Sequence, residues 1–379
     1  MSFRIARIGV HPLAIPFREG FRHHLHERAG SDAIVIRVED ADGLAGHGEG
    51  LPRPYVTGET VESVMMTLSG SGLERLLNLD WPDVHGVSDL EAIDALLGDL
   101  PAGPGVRAAH AARSALEVAI LDLALRRSGI SLGEILPAVR NPVIYSGVLT
   151  STDPSRTVEL AMQMAHLGLK DLKIKVGDDG DVARVQAVRA ALGPDIRLRL
   201  DANAAWNLET ATERLQALEE VAIASVEQPL PVAQDGHLPE LRRRSSIPVM
   251  VDESVVTEDD AARLIEMKAV DILNVRISKQ GGLVRARRLA LTALQAGVGV
   301  QIGAQVGETA ILSAAGRHLA AHLPEVFAVE GSFGTLLLNE DLTAQTIRFG
   351  HGGRGPRLTG PGLGVDVLAE RLARWRRES

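Results

Sequence analysis

The alternation of apolar and polar positions changes character along the chain. Near the N-terminus, "RIARIGVHPLAI" and "SDAIVIRVEDADGLAGHGEG" read as strands with "DADG" as a turn, which predicts an antiparallel sheet. "TVESVMMTLSG" and "GVRAAHAARSALEVAILDLALRRSG" then place apolar residues at spacings of three and four, and the second closes on Arg126, Arg127 and Gly129, a basic last turn and a glycine stop. These elements predict a compact α+β domain over residues 1–130. From about residue 143 the pattern becomes short β-branched runs, each followed by an Ala- and Leu-rich helical stretch: "VIYSGVL", "LKIKVG", "IRLRLDAN", "IASVEQP", "PVMVDES", "DILNVRIS", "GVGVQIGA" and "VFAVEG". Alternating βα units in that number predict a closed parallel α/β barrel over residues 131–340 in preference to an open, doubly wound sheet, with residues 341–379 as a C-terminal segment.

Composition narrows the partners. The 379 residues are 45% apolar and 23% charged, with 49 acidic against 40 basic side chains and a net charge of −9. That describes a globular protein, and the scattered arginines argue against nucleic acid or an anionic membrane as partner, leaving a small molecule. Without cysteine there is no disulfide and no thiolate ligand, so any metal must be held by carboxylates or histidines, which points to a hard cation. No stretch reads as a signal peptide or a membrane span, so a cytoplasmic location is expected, and a homo-oligomer with it. "GLAGHGEG" is glycine-rich but lacks the spacing of a dinucleotide loop, and "KQGGLVRARR" reads as the start of an ordinary helix rather than a phosphate site.

Only five of the basic residues are lysines, and Lys170, Lys173 and Lys175 fall within six positions; the others are Lys268 and Lys279. Arginine cannot give up its proton in a protein, whereas lysine can be driven to the neutral amine. Lys175, Asp201, Glu227, Asp252 and Lys279 end successive middle runs at intervals of 26, 26, 25 and 27 residues. One βα unit separates each from the next, so in a parallel barrel all five converge on one mouth. Any one of them could be an ordinary polar loop residue, but five in register are not. Three carboxylates facing one point repel unless a cation lies between them, and an all-oxygen set suits Mg²⁺ or Mn²⁺. Such a site is suited to removing the proton α to a carboxylate, because a cation can stabilise the enediolate. The base must be a neutral amine, and Lys173, two positions before Lys175 and on the same strand face, is placed to favour that state and to contact the substrate carboxylate.

These motifs, the K-x-K of "KIKVG", D-x-N of "RLDANAAW", E-Q-P of "VEQPL", D-E-S of "MVDES", the lysine of "ISKQGG" and the closing "GPGLGV", resemble the enolase superfamily in its muconate lactonizing enzyme subgroup. A lysine base working beside Mg²⁺ is a pattern of that superfamily. The resemblance implies a modified (β/α)7β barrel under an N-terminal α+β capping domain, with the C-terminal segment returning to the cap. It implies Asp201, Glu227 and Asp252 as Mg²⁺ ligands, Lys175 and Lys279 on the two sides of the α-carbon, Lys173 assisting, and Asn203 of the D-x-N as a substrate-binding residue. Cap loops near residues 17–30 and 51–58 would close over the substrate, making His23, His24, Arg53 and Tyr55 candidates for specificity.

Cycloisomerisation, dehydration and racemisation or epimerisation all occur in this subgroup with the same residues. Dipeptide epimerases of the subgroup usually carry Asp-x-Asp on the eighth strand to hold the substrate ammonium. Here "EGSFGTLLL" places Gly331 and Phe333 there, with Glu330 adjacent as another amine-binding candidate and Phe333 as a substrate contact or barrel packing. The expectation is therefore a muconate cycloisomerase-type isomerase acting on a small carboxylate. Alternatives are a racemase or epimerase of N-substituted amino acids or dipeptides and an o-succinylbenzoate synthase-like dehydratase. A metal-dependent hydrolase has no use for two opposed lysines and would usually want histidine ligands, and a non-catalytic binding protein would not need the bases.

Overall fold

The structure, a computed structural model, describes residues 2–22, 27–69 and 71–377. The N-terminal strands are β1 (Ile5–Pro12), β2 (Ile15–Arg22), β3 (Glu27–Ser31), β4 (Ile34–Asp40) and β5 (Ala45–Gly50). β4 pairs antiparallel with β1 and β5 in the central sheet, and β2 pairs with β3 in a hairpin of its own. That hairpin differs from the loop expected at 17–30. Ile15 and Phe17 point inward with period two, and Phe17 bridges to Leu338, so the segment is a strand with a buried face. His23 and His24 lie outside the described residues.

Helix α1 (His110–Ser128) is buried over its first sixteen residues, from His110 to Leu125. Its alanines meet the glycines of "GLAGHGEG": a Cβ on Gly46, Gly48 or Gly50 of β5 would come within 1.9–2.4 Å of the α1 backbone around Ala111, Ala115 and Ala119. The motif is therefore a packing stripe that lets strand and helix touch backbone to backbone.

The barrel strands are β6 (Gly147–Leu149), β7 (Asp171–Lys175), β8 (Arg197–Asp201), β9 (Ile223–Glu227), β10 (Val249–Val251), β11 (Ile272–Val275), β12 (Gly299–Ile302) and β13 (Ala328–Val329). All are parallel and each neighbours the next in sequence. Ser146 N donates to Val329 O at 2.9 Å, joining the first strand's edge to the last. The helices between are α2 (Pro154–His166), α3 (Asp181–Leu192), α4 (Leu208–Ala217), α5 (Leu238–Arg244), α6 (Glu258–Glu266), the short α7 (Ile277–Gln280), α8 (Leu283–Gln295) and α9 (Ala310–His322), and the single turn Gly334–Leu337 directly follows β13. This is the modified (β/α)7β barrel with an α+β cap. The run "VIYSGVL" is divided, because Tyr145 N bonds Gly353 O whereas Ser146 N turns to Val329 O. Val143–Ile144 accordingly pairs with Arg354–Gly355 outside the barrel.

The cap grips the barrel at the loops after β11 and β12. Glu117 of α1 accepts from the first N–H groups of α8, Leu283 at 2.8 Å and Val284 at 2.9 Å, so the anion position at the end of "KQGG" is filled from within the chain. Burial pushes Glu117 up to about 7 against the pull of Arg113 and these donors. Gly282, at φ +140°, passes so close that a Cβ there would lie 2.5 Å from the Glu117 carboxyl. Glu49 of β5 does the same for α9, accepting from Thr309 N at 2.8 Å and Leu312 N at 3.1 Å. The C-terminus pairs with the cap, Arg377 N donating to Pro12 O at 2.8 Å. Among the described residues no helix is long and apolar enough to cross a membrane.

The packing stripe gives a direct expectation. Gly48→Ala should destabilise the protein by about 3 kcal/mol, since the contact is with backbone that cannot step aside, and should lower Tm in calorimetry. Gly103→Ala, where a Cβ meets nothing within 4 Å, should leave Tm unchanged.

Candidate active site

The carboxyl ends of β7, β8 and β9 place Lys175, Asp201 and Glu227 side by side, paired directly across the ladder. Asp252 is the first residue after β10. Lys279 does not end its strand: β11 stops at Val275, and Lys279 lies four residues on, in α7. The residue that follows β11 as Asp252 follows β10 is Arg276, which the strand-end reading passed over.

Each carboxylate is buried, and each is met by cations. Lys173 Nζ donates to Glu227 Oε2 at 2.9 Å and Glu330 Oε2 at 2.8 Å and lies 3.1 Å from Asp201 Oδ2. Burial pulls the Lys173 pKa down, but Asp201, Glu227 and Glu330 outweigh it and hold the group above its ordinary value. Lys173 is thus a firmly protonated ammonium shared by three carboxylates, rather than a cation turned toward Lys175. Lys175 Nζ donates to Asp201 Oδ2 and to Asn203 Oδ1, both at 2.6 Å. Its side chain is 18% exposed, against 3% for Lys173 and 0% for Lys279.

Asp201 is held below the usual carboxylate range, because Lys173 and Lys175 overcome the upward push of burial. Glu227 is raised by burial and by Asp201. It accepts from Asn274 Nδ2 at 2.7 Å and lies 3.5 Å from Arg276 Nη2. Arg276 also makes a close ion pair with Asp252 Oδ2. Lys279 Nζ donates to Asp252 Oδ1 at 2.8 Å, Asp252 O at 2.7 Å and Asn274 O at 2.7 Å. Glu253, beside Asp252, is pushed up to about 7 by burial and then by Asp252 and Asp201, and its Oε2 is buried without a hydrogen-bond partner. Asn203, at φ +42°, donates to the other oxygen of Glu253 at 3.2 Å.

A ring of polar side chains supports this level from inside the barrel. Arg199, two residues before Asp201, donates to Asp171 Oδ1 at 2.7 Å, Gln301 Oε1 at 2.5 Å, Glu330 Oε1 at 2.9 Å and Ser146 Oγ at 2.7 Å. Glu330 therefore has one oxygen on Lys173 and the other on Arg199. Burial would raise it, but these two cations bring it down to about 2.

The cap candidates separate. Arg53 is fully buried, donating to Asp32 Oδ1 at 2.9 Å, Pro52 O at 2.6 Å and Val306 O at 2.5 Å, so it fastens the cap to the loop after β12 instead of reaching into the mouth. Tyr55 is half-buried. Phe333 is half-buried with its ring edge-to-face on Phe349 at 5.5 Å, and Phe349 stacks on Tyr145 at 5.4 Å.

The donor set suits a hard divalent cation: three buried carboxylates on neighbouring strands, with Lys173 bridging Asp201 and Glu227 and Arg276 bridging Glu227 and Asp252. As placed, the carboxylates are turned toward those cations, and among the described residues no three His, Cys, Asp or Glu side chains form a ready coordination group.

Known proteins share this arrangement of chain. Residues 156–371 match the model of the enolase C-terminal domain-like family. A hydrophobic dipeptide epimerase of Enterococcus faecalis (strain V583) is 32% identical over 84% of this chain and 87% of that protein. The crystal structure of a dipeptide epimerase from the same strain, complexed with Mg and the dipeptide L-Leu-L-Tyr, superposes with a TM-score of 0.86 at 28% identity, over 96% of this chain and 99% of that one. A muconate lactonizing enzyme from Pseudomonas fluorescens, complexed with muconolactone, superposes with a TM-score of 0.88 at 27% identity over 100% of both chains.

The pairing of Glu330 gives the expectation for this site. Glu330→Gln should cost on the order of 3 kcal/mol by leaving Lys173 and Arg199 short of a buried partner. Denaturant unfolding should show that loss. An unchanged unfolding midpoint together with altered amine recognition would instead make Glu330 a substrate contact.

Proposed function

The chain belongs to the enolase C-terminal domain-like family of the enolase superfamily, and from that membership we propose that it abstracts the proton α to a small carboxylate substrate with a bound Mg²⁺. It is an isomerase or lyase of that superfamily, and the reaction proposed is of the muconate cycloisomerase type. The observation that carries it is Lys175: among the three mouth lysines it has the most exposed side chain, on the wall formed by β7. Asp201, Glu227 and Asp252 would hold the ion, with Mn²⁺ as a substitute. When bound, Mg²⁺ supplies the positive charge that makes removal of so weakly acidic a proton feasible.

The residues of the chain do the rest. Lys175, as the neutral amine, takes the α-proton and returns it. Asn203 and Asp201 fix the position of its nitrogen. Lys173, protonated and held by Asp201, Glu227 and Glu330, supplies a fixed positive charge near the substrate carboxylate. Tyr55 and Phe333, both half-buried, would border the remainder of the substrate, and the ring of Phe333 suits an unsaturated or cyclic body. The engagement of Glu330 by Lys173 and Arg199, with Gly331 and Phe333 following it, weighs against a site for a substrate ammonium. The similarity to the Enterococcus faecalis epimerase favours epimerisation of dipeptides as the second reading.

Glu227→Gln is expected to weaken Mg²⁺ binding at least tenfold by calorimetry, and unchanged affinity would remove the ion from these ligands. Lys175→Arg should lower turnover of muconolactone to muconate by about 10²–10⁴-fold, the usual contribution of a general base. Turnover at the wild-type rate in that variant would show that Lys175 is not the base.

A further inference from the structure

A second polar cavity lies between the cap and the side of the barrel formed by α6 and α8. It holds about 460 Å³, the size of a small-molecule site. Among the described residues, none of the mouth carboxylates or lysines lines it, and four arginines do. Three of the four are spent. Arg113 donates to Gly98 O, Gly281 O and Asp94 O, Arg107 pairs with Asp260 at 2.5 Å, and Arg288 is held between Glu258 at 2.7 Å and Glu91 at 2.9 Å. Arg285 is the exception. Its Nε is buried, 3.5 Å from Asp94 Oδ1 and without a hydrogen-bond partner, and its Nη1 is 2.8 Å from Asp99, whose side chain is 83% exposed. An ion pair with so open an acid is screened by water and easily exchanged.

His110 lines the same cavity and is 7% exposed. Its Nδ1 lies 2.7 Å from Lys279 O, and a carbonyl oxygen can only accept, so the ring proton is on Nδ1 and Nε2 carries the lone pair. No hydrogen bond is made to Nε2 among the described residues. Burial pushes His110 down to about 4, and Arg285 and then Arg113 push the same way against the Lys279 carbonyl and Asp99, so the ring stays neutral.

A buried acceptor short of a donor and a guanidinium short of an acceptor, on one cavity, define a complementary ligand. It brings a hydroxyl for His110 Nε2 and a carboxylate for Arg285, where the Asp99 carboxylate already marks the place. Leu100, Val256 and Leu289 supply apolar wall. Glu258 and Asp259, in the first turn of α6, add negative charge that disfavours a second carboxylate. We propose that this cavity is a binding site for a monoanionic hydroxycarboxylate with a small apolar body, its carboxylate taking the place of Asp99 on Arg285 and its hydroxyl donating to His110 Nε2. The site is separate from the mouth and independent of the reaction proposed there. Binding gives up a surface ion pair that is worth little and satisfies a buried acceptor that is costly to leave bare, so the exchange favours the ligand.

Calorimetry of the Mg²⁺-free protein with 3-phenyllactate and 3-phenylpropionate, two acids that differ by one hydroxyl, tests the site. 3-Phenyllactate should bind one-to-one and about tenfold or more tighter than 3-phenylpropionate, which leaves the buried acceptor unpaired. Arg285→Gln should weaken 3-phenyllactate by about tenfold or more. Asp99→Asn should act in the opposite direction, tightening it roughly threefold by removing the internal competitor. Asp99 is exposed, and a gain in affinity cannot come from a damaged fold. Absence of binding, equal affinity for the two acids, or an Asp99→Asn protein that binds no tighter than the native one would overturn the proposal. Inorganic phosphate bound as tightly as 3-phenyllactate would overturn it too, since the cavity would then take any anion.

Discussion

Putting several carboxylates inside a barrel mouth is the constraint that organises everything around it. A buried carboxylate without a partner is costly enough that it would give up its charge or unfold the site. Asp201, Glu227, Asp252 and Glu330 are all buried, and Lys173, Lys175, Arg276, Lys279 and Arg199 are arranged among them so that each ion bridges strands. Lys173 alone links β7 to β8 and β9 and to the residue after β13. The polar ring is therefore both the candidate site and a girdle across the top of the barrel. Ion pairs of this kind add little net stability, but breaking one is expensive, which fixes the geometry.

The cap serves the same constraint from outside. Its buried acids, Glu117 and Glu49, end on the first N–H groups of α8 and α9, the helices after β11 and β12. Helix N-termini attract negative charge, so two buried acids from the cap dock it onto two barrel helices. The turn of α7 is met by the cap separately, with His110 Nδ1 2.7 Å from Lys279 O and Leu51 N donating to Ser278 Oγ at 2.9 Å. Arg53 adds a third tie through Val306. What looked in the sequence like loops for contacting substrate is in part the fastening that keeps the mouth rigid.

Much of this was legible in the sequence because strand-ending charges recur once per βα unit. Lys175, Asp201 and Glu227 end their strands, and Asp252 misses by one residue. The rule failed at Lys279, since a count of intervals cannot tell a strand end from the helical turn after it. The signal for Arg276 was present: in "DILNVRIS", Asn274 and Arg276 are two apart and share a strand face. Arg199, two before Asp201 in "RLRLDAN", was open to the same argument. The resemblance makes Arg53 a specificity candidate through its cap loop, whereas its burial depends on Asp32 and Val306, partners that no local pattern reveals. The glycines of "GLAGHGEG" likewise acquire meaning only once α1 is seen lying on them.

The mouth sets ammonium and guanidinium groups directly against the carboxylates proposed above as ligands of a divalent cation. A divalent ion entering beside protonated amines favours their neutral form, so metal binding must release protons. Isothermal titration of Mg²⁺ at neutral pH in two buffers of different ionisation enthalpy measures that release directly. On the order of one proton should be released per ion bound, with the release abolished in Lys175→Arg. Mg²⁺ binding with the same heat in both buffers, and hence no proton released, would contradict it.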